Sequence, residues 1–329
     1  MVIALKDRWI WDSWYVQDKG LWHGFFLQAD RSLGDPELRH WNVSYGHATS
    51  SDLRNWDHLG TTFQPAPAGA WDDYTTWTGS VLQDQSGLWH LFYTGSNHSD
   101  DGLYQRLGHA TSADLHNWER VGDGFILDLE GPNAHHYETS MENSLWHDRA
   151  MRDPWAMRDP DGTGWLMFFT ARAAGIEEPN AGGCVGFATS EDLYKWTLQP
   201  PVFVGGFGQL EVPQVFQADG RWYCLFCTAA EHFSNAQAHE TEGGPVTGNH
   251  YLIGESPRGP WRIAPGFLDG ALPCKRYAAR ILSTTDGLVI MGFADRPEGT
   301  FLGHVMDPEP VEILPDGTLR IQPQLKAAE

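Results

Sequence analysis

The segment MRDPWAMRDP, residues 151–160, sets two Arg-Asp-Pro steps six residues apart. An aspartate beside an arginine can be a catalytic carboxylate; the same three residues can also simply turn the chain. Counting back from the glycine of each of several look-alike hairpins separates the two cases. Asp12 lies 8 residues before Gly20, Asp153 lies 9 before Gly162, and Glu211 lies 9 before Gly220. Thr78 lies 9 before Gly87, and Tyr277 lies 10 before Gly287. Asp159 lies only 3 before Gly162 and is read as a turn residue. Three carboxylates meeting at one spot supply the machinery of glycoside hydrolysis. One attacks or activates water, a second protonates the leaving oxygen, and a third holds ring hydroxyls of an oxocarbenium-like transition state. The working pair must differ in pKa, and like-charge repulsion and aromatic walls both raise the acid's. Arg152 would keep its neighbour ionised, and Trp11, Trp14 and Trp77 suit the face of a sugar.

Such convergence needs elements that repeat around an axis, and the chain repeats. GHATSSDLRNW begins at Gly46, GHATSADLHNW at Gly108 and GFATSEDLYKW at Gly186. IGESPRGPW is a degraded copy with its Gly at 254, and LGHVMDPEP a fainter fifth with its Gly at 303. Each clear copy predicts a strand end, a Ser/Asp turn and a Trp that packs back. Hairpins interleave with these copies, turning at Gly20, Gly87, Gly162, Gly220 and Gly287, with Asp-Gly steps between apolar runs in several. Five such sheets predict an all-β fold: a five-bladed β-propeller of four-stranded antiparallel blades around a central funnel. A single catalytic domain over 1–329 is expected, with VEILPDGTLRIQP as a closing strand pair and no C-terminal β-sandwich. Insertions near 124–150 and 230–250 are expected to be loops over one end.

Composition bounds the rest. The chain has 329 residues, 41% hydrophobic, with 16 Trp, 16 Phe and 10 Tyr, enough for a sizeable core. A net charge of −21 repels nucleic acid and anionic membrane, so neither is expected as a partner. The start, MVIALKDRWIWDSW, does not read as a signal peptide, and no apolar run is long enough to span a bilayer. Cys184, Cys224, Cys227 and Cys274 are too few for a disulfide scaffold; alternation sends the two thiols of CLFC to opposite faces, and all four read as buried structural thiols. A cytoplasmic location follows. His135, His136, His232, His239 and His250 show no metal-ligand spacing and read as solvated or sugar-contacting residues, so no metal or cofactor is expected.

WDSW at 11–14, WTGS at 77–80, RDP at 152–154 and LEVPQVF at 210–216 resemble the motifs of the fructan-active enzymes. These are the levansucrases of glycoside hydrolase family 68 and the invertases and levanases of family 32; WDSW followed by RDP leans towards family 68. The resemblance implies a five-bladed propeller acting with retention on β-fructofuranosides such as sucrose. It implies Asp12 as the nucleophile that forms a fructosyl-enzyme, Asp153 as transition-state stabiliser and Glu211 as general acid/base. Arg152, Trp77, Thr78 and Tyr277 match substrate-contacting positions, and Trp11 would wall the fructose pocket. The chain departs from the family after the fourth hairpin, where TAAEHFSNAQAHE stands in place of an expected arginine.

Two other readings use the same features. An inverting arabinofuranosidase or xylosidase would carry three acids on the same propeller, with its carboxylates about 6.5–9.5 Å apart instead of about 5–5.5 Å. A non-catalytic sugar-binding propeller would tolerate loss of the acids. Oligomeric state, leaving group and the choice between hydrolysis and transfer stay open at this point.

Overall fold

In the computed structural model, which describes residues 3–322, five antiparallel sheets follow one another along the chain. The first comprises β1 (Arg8–Asp18), β2 (Leu21–Asp30), β3 (Ser44–Ser50) and β4 (Asp57–Phe63). The second comprises β5 (Thr75–Gln83), β6 (Trp89–Ser96), β7 (Arg106–Ser112) and β8 (Glu119–Leu127); the third β9 (Met151–Arg158), β10 (Trp165–Arg172), β11 (Gly183–Ser190) and β12 (Trp196–Val204). The fourth comprises β13 (Glu211–Ala218), β14 (Arg221–Thr228), β15 (Thr247–Gly254) and β16 (Trp261–Ile263), with β17 (Asp269–Ala271) also on β15. The fifth is β18 (Arg276–Thr284), β19 (Gly287–Ala294), β20 (Glu309–Ile313) and β21 (Leu319–Ile321). Inner strands touch in the order β1, β5, β9, β13, β18 and back to β1, closing a five-bladed propeller. Residues 1–2 and 323–329, which the single-domain expectation includes, lie outside the described residues.

The core is a series of clusters between successive blades. Phe92 and Leu107 of the second blade pack with Met167 and Phe169 of the third, and Leu166 and Phe168 of the third pack with Val215 and Trp222 of the fourth. Ile10 and Phe26 of the first pack with Leu282 and Met291 of the fifth, so the ring is sealed by apolar contact where its ends meet. Truncating one such ring, as in Phe169→Ala, leaves a cavity worth about 3–5 kcal/mol.

The repeated segments form the third strands and the turns that follow. Their glycine is required because an aromatic ring of the second strand lies over it: an added Cβ would stand 2.0 Å from Phe26 at Gly46 and 2.1 Å from Phe169 at Gly186. In the turns, Asp52, Asp114 and Asp192 each accept two backbone N–H groups, Asp114 those of His116 (2.9 Å) and Asn117 (2.8 Å). This clasp holds Leu53, Leu115 and Leu193 at φ of 61°, 65° and 70° with their side chains buried.

The faint fifth copy differs from expectation. Residues 301–307 run beside β19 but bridge it only at Phe293–Val305, and the regular ladder starts at Glu309. VEILPDGTLRIQP therefore supplies most of the third strand and the outer strand of the fifth blade, not an addition after it. Val305 also bridges Ile3, bringing the first described residue onto the last blade. Of the two insertions, 230–250 holds a short helix, α1 (Asn235–Glu240), and both contribute to the wall of one cavity. Among the described residues no helix is long and apolar enough to cross a membrane.

Candidate active site

Each inner strand carries an irregularity in its pairing with the second strand at the same height. In β1 it falls between Trp11 and Ser13, in β5 between Trp77 and Gly79, in β9 around Asp153, in β13 between Glu211 and Gln214, and in β18 between Tyr277 and Arg280. A bulge re-aims a side chain that strand alternation would send sideways. Here all five point residues into one cavity of about 720 Å³. Asp153, Val212 and Ala278 take positive φ of 59°, 52° and 46° to do so, a conformation that costs a non-glycine residue about 1–3 kcal/mol.

Asp12, Asp153 and Glu211 all line this cavity, with Trp11, Trp77, Thr78, Arg152 and Tyr277. They do not occupy one station, as the glycine counts had it. Asp12, Thr78 and Asp153 lie in the bulge itself, whereas Glu211 and Tyr277 pair with Cys227 and Phe293 just before it. The miscount comes from hairpin loops of unequal length, residues 19–20, 84–88, 159–164, 219–220 and 285–286. Glu211 therefore approaches from one step to the side. Trp14 is not at the cavity: it is buried between Phe25 and Tyr45. Asp159 sits in the 159–164 loop, where it receives Arg258 Nη1 at 3.2 Å and Nη2 at 2.5 Å across to the fourth blade.

The three acids have different surroundings. Asp12 is half-buried and accepts the Thr78 hydroxyl on Oδ2. Burial, followed by the negative charge of Asp153, pushes its carboxyl up to about 7 against the Thr78 hydrogen bond. Asp153 is 3% exposed; its Oδ2 accepts Thr170 Oγ1 (2.9 Å) and the N–H of Val212 (3.0 Å). Burial raises its carboxyl too, and Arg152 opposes that rise. Glu211 is the most open of the two acids on either side of Arg152, its side chain 21% exposed against 5% for Asp153. Arg152 Nη2 donates to its Oε1 at 3.0 Å and the Tyr277 hydroxyl to its Oε2 at 2.6 Å, so both oxygens are fixed in place.

Arg152 is the hub. Its Nη1 donates to Gln105 Oε1 (3.1 Å), its Nη2 also to Gln209 Oε1 (2.7 Å), and its Nε lies 3.6 Å from Asp153 Oδ2. Burial alone would loosen its proton, but Asp148, Glu211 and Asp153 together hold it more firmly than usual. Trp77 lines the wall and donates Nε1 to His40 O at 2.8 Å; Trp11 meets the His40 ring edge-on.

Several lining or supporting residues were not foreseen. Gln105, Gln209 and Asp148 orient Arg152, and Arg280 lies buried against the backbone that follows Glu211. Gln209 was findable as a polar neighbour two residues before Glu211. Of the histidines, His232 lines the cavity and contacts Gln209 Nε2 at 3.0 Å. His250 is instead a core residue among Phe207, Phe226 and Phe233, so a solvated reading of it was wrong. Cys224 and Cys227 do fall in separate clusters on opposite faces of β14, buried and unpaired. Among the described residues no three His, Cys, Asp or Glu side chains group as a metal site.

Residues 9–259 match the family described as glycosyl hydrolases family 32, N-terminal domain. The chain belongs to this family. Its relatives include a levansucrase of Streptococcus mutans, 22% identical over 96% of this chain and 49% of that protein. An extracellular sucrase of Zymomonas mobilis is 24% identical over 96% of this chain and 82% of that protein. The chain thus spans about half the length of the first and most of the second. Among solved structures, an inulosucrase from Halalkalicoccus jeotgali bound to kestose superposes with a TM-score of 0.78, at 22% identity, over 98% of this chain and 90% of that one. For this member of family 32, that likeness fixes the propeller architecture.

Proposed function

We propose that this protein is a retaining β-fructofuranosidase or fructosyltransferase acting on sucrose or small fructo-oligosaccharides. Family membership and sucrose-acting relatives support the substrate class. The observation that carries the reading is the set of three carboxylates from three blades around one cavity, each in a different electrostatic setting.

In this reading the Asp12 carboxylate attacks the anomeric carbon of the fructosyl unit, forming an ester bond as the glycosidic bond breaks. Glu211, nearer the opening, gives its proton to the departing oxygen. Asp153, anchored by Thr170 and the Val212 N–H, holds the fructose hydroxyls as positive charge develops on the ring. Glu211 then takes a proton from water or an acceptor hydroxyl, whose oxygen displaces Asp12 and restores the starting state. Hydrolysis and transfer share the first half and differ only in which acceptor reaches the intermediate. Trp11 and Trp77 wall the fructose site, and Thr78 orients Asp12.

A cytoplasmic location belongs to the same reading and is supported by four cysteines that all remain thiols; cell fractionation tests it. The central test is a product assay on sucrose and 1-kestose. Proton NMR during the first turnovers is expected to show β-fructofuranose or a β-linked transfer product. Mass spectrometry of Glu211→Gln given a fructosyl donor whose leaving group departs without protonation, such as fructosyl fluoride, is expected to show a fructosyl adduct, with peptide mapping placing it on Asp12. Initial release of the inverted anomer, or no turnover of any fructoside, overturns the reading.

A further inference from the structure

A buried cation is normally accompanied by a carboxylate, because an unpaired charge away from water is costly. β18 shows the rule and an exception four residues apart, in RYAAR. Arg276 and Arg280 are both 1% exposed. Arg276 places Nη1 on Asp269 at 2.7 Å and Nη2 on Glu309. Among the described residues no carboxylate forms an ion pair with Arg280. Its Nη1 donates to the carbonyls of Val212 (3.0 Å) and Pro213 (2.9 Å), and its guanidinium lies 5.0 Å from the centre of the Trp155 ring. Its Nε and Nη2 find no protein acceptor.

Those two carbonyls belong to the β13 bulge, immediately after Glu211. Val212 is the left-handed residue of that bulge, and its N–H points the other way, onto Asp153 Oδ2. Arg280 thus clamps the stretch of backbone that aims one acid and hydrogen-bonds another. Its charge also changes the local balance. Arg280 brings a second positive charge to a site where Arg152 already faces Asp148, Asp153 and Glu211. Burial pulls the guanidinium down to about 10, and Asp153 and Asp12 oppose that fall. Asp12 in turn is surrounded by Asp153, Glu211, Arg280 and Cys227. The titratable groups around Arg280 are Asp153, Asp12, Cys227, Cys224 and Tyr15.

We infer that Arg280 is a positioning residue of this site, fixing the bulge that aims Glu211 and supplying the countercharge that lets Asp12 and Asp153 be ionised together. The inference rests on the proposed function for its activity readout only. Two variants divide its roles: Arg280→Gln removes the charge and keeps one donor, and Arg280→Lys keeps the charge and loses the fork. In Arg280→Gln the acid limb of kcat/KM moves up by about one pH unit and kcat falls about 100-fold. In Arg280→Lys the limb stays in place while kcat falls about 10-fold. A readout independent of turnover is the gain in Tm at pH 8 from Asp12→Asn, which at least doubles in the Arg280→Gln background.

A folded Arg280→Gln with both the limb and that gain unchanged overturns the inference. If Arg280→Gln does not fold, Arg280→Lys decides: wild-type kcat and Tm, or a limb that moves although the charge is kept, overturns it. A protein that turns over no fructoside but shows the enlarged Asp12→Asn gain keeps the role of Arg280 and loses the proposed function.

Discussion

Apart from Lys19, Asp101 and Asp219, the described non-glycine residues in left-handed backbone form two sets, one on the outer turns and one at the axis. On the outside Leu53, Leu115 and Leu193 are the same residue, held by the same aspartate clasp and burying the same side chain. At the axis Asp153, Val212 and Ala278 share a backbone bend but nothing else. The outer device is copied whole because its task, ending a strand against the next blade, is the same in each copy. The inner device is copied only as backbone, and the side chains diverge because each blade delivers a different group. Repetition of side chains marks structure here; repetition of geometry with varied side chains marks chemistry.

The sharpest way to break this comparison is to neutralise the axial acids. Asp12→Asn, Asp153→Asn and Glu211→Gln are each expected to lower kcat on sucrose by about 10³-fold or more while circular dichroism is unchanged. A loss under tenfold in any of them removes that residue from the chemistry. Next in size is a pH effect. If Asp12 is the nucleophile proposed above it must be ionised to attack, and with its carboxyl held up to about 7, kcat/KM is expected to fall about tenfold per pH unit below about 7. A limb near 4 in a kcat/KM profile shows that Asp12 is not the group.

The same group has a stability signature of opposite sense. A carboxyl held near 7 when folded and at its ordinary 3.8 when unfolded makes folding less favourable as pH rises through that window. Asp12→Asn is therefore expected to stabilise the protein at pH 8. The full difference is about 4 kcal/mol; Asp12 opens partly to the cavity, so about 1–3 kcal/mol is expected. The gain shrinks towards pH 4 and is gone below about pH 3, where both states are protonated. Urea unfolding at pH 8 and pH 4 measures it; an equal gain at both values rules out this origin.

Smaller effects test the outer set. Asp114→Ala, which removes the clasp on His116 and Asn117, is expected to cost about 1 kcal/mol with kcat within twofold. Asp159→Asn weakens a half-exposed ion pair to Arg258 and is expected to cost under about 1 kcal/mol, again with kcat within twofold. A large activity loss from either places chemistry where only structure has been read.

The fold was legible because the repeat was written in side chains: Gly, Ser, Asp, Leu and Trp each answer to a specific contact in the turn. The fifth blade was harder, since Gly303 to Pro308 keeps the position of a third strand but lacks the clasp, and within it only Val305 bridges its neighbours. At the site, hairpin counting singled out Asp12, Asp153 and Glu211, which line one cavity. Their stagger was not legible, because loop length and bulge size trade against each other and neither leaves a mark in composition. Arg280 escaped because its partners are backbone carbonyls, which every sequence contains.

The acids come from blades one, three and four, and Arg280 and Tyr277 come from blade five. No run of four consecutive blades holds the whole set. On the proposed function, a nascent chain is expected to be inert until its final sheet docks against its first, and turnover would double as a gauge of ring completion. A nick between blades that lets the circle gape would then abolish turnover while spectroscopic β-content still looked intact.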